Sequence, residues 1–448
     1  MNAVAANDLP GVAALHRKID LRLLPYLFVL YVVAYLDRVN VSFAAQGLSQ
    51  SLGFSSSVFG LGAGMFFAGY VLCEVPSNLI LRRVGARLWI ARIMVTWGLI
   101  ACGMAFVHAD WSFYAVRFLL GVAEAGFLPG IIYYLTLWYP PARRARAVAL
   151  FMAATPVAGI VGAPLSGLLL GMHGLWDVEG WRFMFVLEGV PAVLLGFSVL
   201  RLLPDSPAEA RWLSAPERTA LTNELATAQA HAPQDGHVPW RAVLLALARD
   251  ARVWELSAAY FSLCVGMYGL VMWMPTIIGE ILGPQAGPMH VGLLSAIPYL
   301  GGVVGMVLVG RHSDRTGERR WHTAGPLFVS AAGFLLSVAP LGGWLGEDLG
   351  PWWSLCCFTI STVGLWGMLG PFWTIPTGFM SGAAAAGGVA LINSIGNAGG
   401  FVGPTLVGLV RDGTGSHRYG FLFIAATMTV GGWCILRATR GARATRIG

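Results

Sequence analysis

The chain is poor in charge. Asp, Glu, Lys and Arg together make up 11% of its 448 residues, less than half of the about 25% usual in soluble domains. That scarcity excludes a disordered or coiled-coil protein, because both depend on charged, solvated faces. Paired cysteines are missing as well. The six cysteines (Cys73, Cys102, Cys264, Cys356, Cys357 and Cys434) all fall in apolar runs and none forms a C-x-x-C pair, so each reads as a small core residue. There is no H-E-x-x-H and no P-loop lysine, and the nine histidines fall at predicted loops or span ends. No enzyme, metal or cofactor is therefore expected. The first 20 residues contain no short apolar segment followed by a small-residue cleavage site, so no removed signal peptide is expected.

What the chain does have is apolar surface. Ala, Val, Ile, Leu, Met, Phe, Trp, Tyr and Cys account for 56% of it, before its 58 glycines are added. Packed single cores stop growing near about 250–300 residues, so a water-soluble globule could not hide so much. The natural solvent of this sequence is a lipid bilayer.

A spanning helix needs about 20 predominantly apolar residues. Apolar runs broken by charge and turn residues predict twelve spans, near 21–46, 57–80, 88–107, 111–137, 146–171 and 181–203, then near 251–280, 289–310, 322–341, 351–376, 387–410 and 417–437. Between the sets lies the one long stretch rich in charge and Pro, residues 204–250. The expected organisation is an all-α membrane protein with a six-helix bundle over 1–203, a cytoplasmic central loop over 204–250 and a second six-helix bundle over 251–448. Within the loop, Ser214 and Glu217 have capping-box spacing, which predicts a surface helix running on to Ala230.

The cations set the orientation. With both termini inside, 24 of the 29 Lys and Arg residues fall in cytoplasmic segments, as the positive-inside rule requires. The net charge of +7 is thus a topology signal, and no nucleic-acid partner is expected. The expected location is a bacterial inner membrane, with the protein a monomer.

Four charges lie where lipid should exclude them. Asp37 and Arg38 fall in the first span, Arg117 and Glu124 in the fourth. Insertion scales charge about 2.5–3.5 kcal/mol for each at the bilayer centre, so about 10–14 kcal/mol must be compensated. These groups must face a wet cavity, one another, or both. Arg117 and Glu124 are seven apart and thus within about 20° on one helix face. Tyr31, Tyr35, Arg38 and Ser42 form a polar stripe on the first span, while Asp37 lies about 100° away among Val33, Ala34 and Val41. A carboxylate so placed is partly desolvated, which suits it to take up and release a proton.

The second set of spans carries no central charge. It offers Tyr268, Trp366 and Trp373, and Asn393 and Asn397 at i and i+4. Charge on one side with neutral donors and aromatic walls on the other would enclose a small organic anion. A purely structural ion pair is the competing reading for Arg117 with Glu124 and for Asp37 with Arg38, and ordinary packing for the aromatic groups. Glu188 in the sixth span fits either a functional role or the needs of a neighbouring helix. Glu74, near the end of the second, is expected to support the loop charges.

The halves echo each other. Gly310-x-x-x-Asp314-Arg315-x-Gly317-x-Arg319 follows the eighth span, and Asn78-x-x-x-Arg82-Arg83-x-Gly85-x-Arg87 follows the second. Twelve spans, two halves and the 310–319 loop resemble the major facilitator superfamily; the 78–87 copy departs from its pattern in Asn78 and Arg82. Narrower matches are Tyr35-Leu-Asp37-Arg38-Val-Asn40, Gly69-Tyr70-x-x-x-Glu74-Val-Pro76-Ser77-Asn78, Arg117-Phe-Leu-Leu-Gly121-Val-Ala-Glu124-Ala-Gly126 and Ala390-Leu-Ile-Asn393-Ser-Ile-Gly396-Asn397. Over residues 15–437 these resemble the anion:cation symporter branch, and most of all its bacterial tartrate-type carriers. The resemblance implies a proton-coupled importer of a small organic anion, a hydroxy-dicarboxylate such as tartrate or a related sugar acid. It implies Asp37 and Glu124 as proton carriers and Arg38 and Arg117 as substrate ligands, with Tyr35, Tyr70, Asn393 and Trp373 as substrate neighbours beside Tyr268. The energy source would be a proton gradient. Competing readings are a proton-driven exporter of metabolites or drugs, an importer of aromatic carboxylates, and, in another class, a membrane receptor or lipid-modifying enzyme.

Overall fold

The first apolar run is longer than a bilayer requires, and the chain bends within it. In the computed structural model, which describes residues 10–230, 240–283, 285–338, 350–380 and 382–440, helix Pro10–Val39 gives way at Asn40 to Val41–Leu52. The next five spans are Ser56–Val84, Ala86–Gly103, Asp110–Glu124 continued by Phe127–Thr136, Pro141–Met152 continued by Ala154–Leu170, and Gly180–Leu202. The second set runs Ala251–Leu282, Pro288–Thr316, Arg320–Ser337, Gly350–Gly367 with its short continuations to Phe379, Gly382–Thr414 and Arg418–Ala438. Ten of these twelve runs are long and apolar enough to cross a membrane by themselves. The ninth and eleventh, Arg320–Ser337 and Gly382–Thr414, complete the two sets of six. The far end of the ninth expected span, 339–341, and the basic residues Arg443 and Arg446 lie outside the described residues.

Small residues let the helices cross backbone to backbone, as lipid demands when no hydrophobic drive pulls helices together. A Cβ on Gly121 of the fourth span would come within 1.9 Å of the Phe66 carbonyl oxygen of the second. The break in the fourth span follows from Gly126, whose φ of 87° suits glycine alone among common residues. It leaves Glu124 at the end of a helical piece, facing the interior.

The two sets meet closely at the end of the molecule remote from the termini. There the Asp412 carboxylate, at the end of the eleventh span, accepts hydrogen bonds from the backbone N–H groups of Ser56 (3.0 Å) and Ser57 (2.7 Å) at the start of the second. Gly167 of the fifth span lies against the Pro288 carbonyl of the eighth, and Gly292 returns the contact on Ala163. At the other end the loops are tied by charge. In 310–319, Arg319 pairs with Asp314 at 2.7 Å, and Gly317 turns the chain with φ 66°. In the 78–87 copy the carboxylate comes from elsewhere: Asp205, just after the sixth span, accepts from the Arg87 N–H at 2.9 Å and pairs with its side chain at 3.2 Å. The surface helix of the central loop spans Ala215–Ala230 with its capping box formed. It holds the start of the chain through Lys18–Glu217 (2.8 Å) and His16–Glu224 (3.0 Å).

Candidate functional site

A helix places i, i+4 and i+7 on one face, and Tyr31, Tyr35 and Arg38 use that face to line a cavity between the two halves. Asn40, where the helix breaks, ends this row. Ser42 turns its hydroxyl back onto the Val39 carbonyl instead, at 2.7 Å. A similar spacing, i, i+4 and i+8, on the seventh span brings Tyr260, Cys264 and Tyr268 to the opposite wall. Tyr70 from the second span, Thr155 from the fifth, Trp366 from the tenth, and Asn393 with Asn397 from the eleventh complete the polar lining. Between these walls lies about 570 Å³ of space free of atoms, open solvent included.

Among the described residues, Arg38 is the one charged group lining the cavity. Its guanidinium forms an ion pair with Glu124 of the fourth span and donates to the Tyr268 hydroxyl at 3.3 Å, linking the two halves. It sits 5.3 Å from the Phe66 ring centre, 5.5 Å from Tyr70 and 6.0 Å from Tyr35. Rings at these distances attract a cation and hold it in place. Three buried donors at the cavity have no acceptor among the described residues: the Tyr35 hydroxyl, the Trp366 indole N–H and the Arg38 Nε. A buried donor left unpaired costs about 1–3 kcal/mol. An anion entering here would satisfy such groups.

Arg117 stands elsewhere. It is fully buried, but its guanidinium donates to the carbonyls of Gly62 (3.3 Å) and Ala63 (3.4 Å) on the second span, and it lies 5.0 Å from the Phe66 ring centre. It neither lines the cavity nor pairs with Glu124, although both share one helix face as their spacing requires. Seven residues span two turns, about 10 Å of rise, which lets each find its own partner. Trp373, expected beside substrate, stands behind Tyr260 with its ring edge-on at 4.9 Å, and is absent from the cavity lining.

Two carboxylates find partners that helical periodicity does not specify. Glu74 turns inward and not toward the loop: it accepts from Asn393 Nδ2 at 2.7 Å and from the Ser394 hydroxyl at 3.4 Å, a further link between the halves. Asp37 points away from the cavity into the first bundle, where Asn40 lies 3.5 Å from it and Glu188 of the sixth span is close by. Tyr260 is a lining residue that sequence patterning missed. Its position four before Cys264 and eight before Tyr268 was the available signal.

These features have relatives. The family described as Major Facilitator Superfamily matches residues 27–404. Two proteins of Agrobacterium vitis, provisionally named tartrate transporters, are each 48% identical, one over 96% of this chain and 92% of its own length and the other over 92% of both. A protein of Acinetobacter baumannii named a quinolone resistance transporter is 41% identical over 93% of this chain and 92% of its own. Among solved structures, the inward-open form of the xylose transporter XylE from E. coli superposes with a TM-score of 0.72 at 13% identity, covering 92% of this chain and 94% of that one.

Proposed function

The chain belongs to the Major Facilitator Superfamily, a family of membrane transporters and not of enzymes, and from that premise we propose that it is a proton-coupled symporter importing a small organic anion by alternating access. The observation that carries this reading is the buried Arg38–Glu124 pair at the edge of a cavity rich in unpaired donors. The named relatives favour tartrate or a similar hydroxy-dicarboxylate as cargo. The cation distribution favours termini on the cytoplasmic face of a bacterial inner membrane.

The coupling follows from one cation with two possible partners. While Glu124 is ionised it occupies Arg38, and an arriving carboxylate finds no free guanidinium. Its second oxygen, Oε2, has no partner and can take a proton. Protonation of Glu124 frees Arg38 to bind a substrate carboxylate in the bidentate geometry that suits it. Proton and anion then favour each other's binding by the same factor, as linkage requires. Tyr268, already on Arg38, and Asn393, already on Glu74, would carry the news of occupancy to the second half. Arg117, held by carbonyls, contributes positive potential near Glu124 and does not serve as a ligand.

The test uses purified protein in proteoliposomes with tartrate as the probe. An inward-directed proton gradient should drive tartrate above equilibrium, and apparent affinity should rise as pH falls while tartrate stays fully ionised. Tartrate that only equilibrates under the gradient, or that binds more weakly as pH falls, would defeat the reading. A second reading is favoured by the quinolone-named relative: export of aromatic carboxylates against the proton gradient. Reversing the gradient separates the two, since an exporter fills the vesicles only when protons flow outward.

A further inference from the structure

The first bundle holds a second cluster of buried polar groups, none of which lines the cavity. Asp37 and Asn40 enter it from the first span, Trp97 from the third, Ser166 from the fifth and Glu188 from the sixth, and none is more than 3% exposed. The Ser166 hydroxyl donates to Glu188 Oε1 at 2.9 Å, and the Asn40 amide sits between the carboxylates, 3.5 Å from Asp37 Oδ1 and facing Glu188. Among the described residues neither carboxylate has an ion-pair partner. Arg38 is taken by Glu124 and Arg117 by carbonyl oxygens. The other titratable groups facing Asp37 are Glu124 from the fourth span and Cys102 from the third, and neither can supply positive charge. Asp37 Oδ2, Glu188 Oε2 and Asn40 Oδ1 are all acceptors without a donor.

Two ionised carboxylates cannot share a buried site that lacks a cation, because each charge is costly to bury and the two repel each other, so at least one of them keeps a proton. The Trp97 indole N–H faces Asp37 and can serve one of these oxygens at most, so three acceptors still call for more hydrogens than their neighbours provide. We propose that Asp37 and Glu188, bridged by Asn40 and braced by Ser166, form a proton-binding pair that holds one proton in common and titrates as a unit. The proton resides on a carboxyl oxygen of one residue and is offered to the other directly or through the Asn40 amide. Glu188 thereby becomes a coupling residue of the transporter, and the molecule carries a proton store apart from the Arg38–Glu124 switch. The proposal rests on the transport reading only in taking the proton as the coupling ion.

Infrared titration of the purified, lipid-reconstituted protein follows the carbonyl stretch of protonated carboxyl groups and needs no substrate. Beside the contribution of Glu124, the wild-type band should contain two linked steps, as strongly coupled pairs do. Glu188→Gln and Asp37→Asn should each leave a single one of these linked steps, and Glu124→Gln should remove its own contribution and leave both of them in place. Ser166→Ala, which keeps both carboxylates, should displace the steps without removing either, and so guards against a Glu188 variant that fails to fold. A wild-type pattern in Glu188→Gln would overturn the proposal. So would displacement of the band when sodium chloride replaces choline chloride, which would make the occupant a metal cation. In proteoliposomes, the protons taken up per tartrate should fall in Glu188→Gln. If tartrate is not carried at all, the transport reading fails while the infrared result still decides this one.

Discussion

Six charged side chains are buried in the first six spans: Asp37, Arg38, Glu74, Arg117, Glu124 and Glu188. Among the described residues of the last six spans there is none, and the buried polar groups there are Ser, Thr and a single His. The halves share a fold and a loop pattern, yet one is an electrostatic device and the other a neutral wall. The charged half can hold protons and an anion in exchange for each other. The neutral half can only sense the outcome, through Tyr268 on Arg38 and Asn393 on Glu74. Chemistry on one side and mechanical response on the other is an economical division for a carrier that rocks about its middle.

The largest effect should come from Arg38. Truncation to Ala leaves Glu124 buried without its cation, a change that costs about 3–5 kcal/mol in comparable pairs. Tartrate uptake should be lost altogether. Arg38→Lys keeps the charge but gives up bidentate geometry, and the loss of one charged hydrogen bond, about 1.5–3 kcal/mol, should weaken affinity by about tenfold to a hundredfold. Isothermal binding measurements and uptake rates check both. If Tyr268→Phe were as damaging as Arg38→Ala, the asymmetry between the halves would collapse.

Asp37→Asn comes next, because it removes a proton store and leaves the Arg38–Glu124 switch and substrate binding in place. Gradient-driven accumulation should fall without reaching simple equilibration, while exchange of tartrate across the membrane survives. Counterflow and accumulation assays on the same vesicles separate the two. Undiminished accumulation would remove Asp37 from the mechanism and return the cluster around it to a structural role.

Tyr268→Phe sharpens the contrast from the neutral side. It deletes one hydroxyl, the 3.3 Å acceptor of Arg38, and a bond to a charged group at so long a distance contributes about 1.5 kcal/mol, the lower end of its range. Apparent affinity should drop by about tenfold, with the accumulation ratio at saturating tartrate unchanged. A fall in that ratio would show that the second half takes part in proton coupling.

Most of the fold could be read from the sequence, and so could the positions of the charges. Their partners could not. Helical periodicity fixes a face, which is why Tyr31, Tyr35 and Arg38 line one wall together. It says nothing about how far a long side chain reaches or which neighbouring helix it meets. Arg117 and Glu124 share a face and still part company, because Arg117 finds the carbonyls of Gly62 and Ala63 before it can reach Glu124. Asn40 shows a signal passed over: it fits a glycosylation pattern that a span makes meaningless, and its amide, like that of Asn393, needed a buried partner. That partner is the pair of carboxylates, and the helix break at Asn40 directs it there. The 78–87 loop, lacking the acid of its counterpart, borrows Asp205 from a segment that no local pattern connects to it.

The smallest effect tests the geometry against the resemblance. Trp373 occupies a position that the family likeness assigns to substrate, yet its ring abuts Tyr260 and leaves the cavity lining to others. Trp373→Phe retains an aromatic ring behind Tyr260 and deletes an indole N–H. If the ring acts only through packing, an edge-to-face contact contributes about 0.5–1.5 kcal/mol and the phenyl ring keeps most of it. The Michaelis constant for tartrate should then shift by less than about threefold, since about 1.4 kcal/mol corresponds to tenfold, and maximal uptake should hold. A tenfold rise in that constant would mean that the indole reaches the cargo when the halves close, because a side chain confined behind Tyr260 has no other way to discriminate. The neutral half would then take hold of the substrate as well as respond to it, and Tyr260→Phe, which keeps the packing surface, would separate a direct indole contact from one relayed through its neighbour.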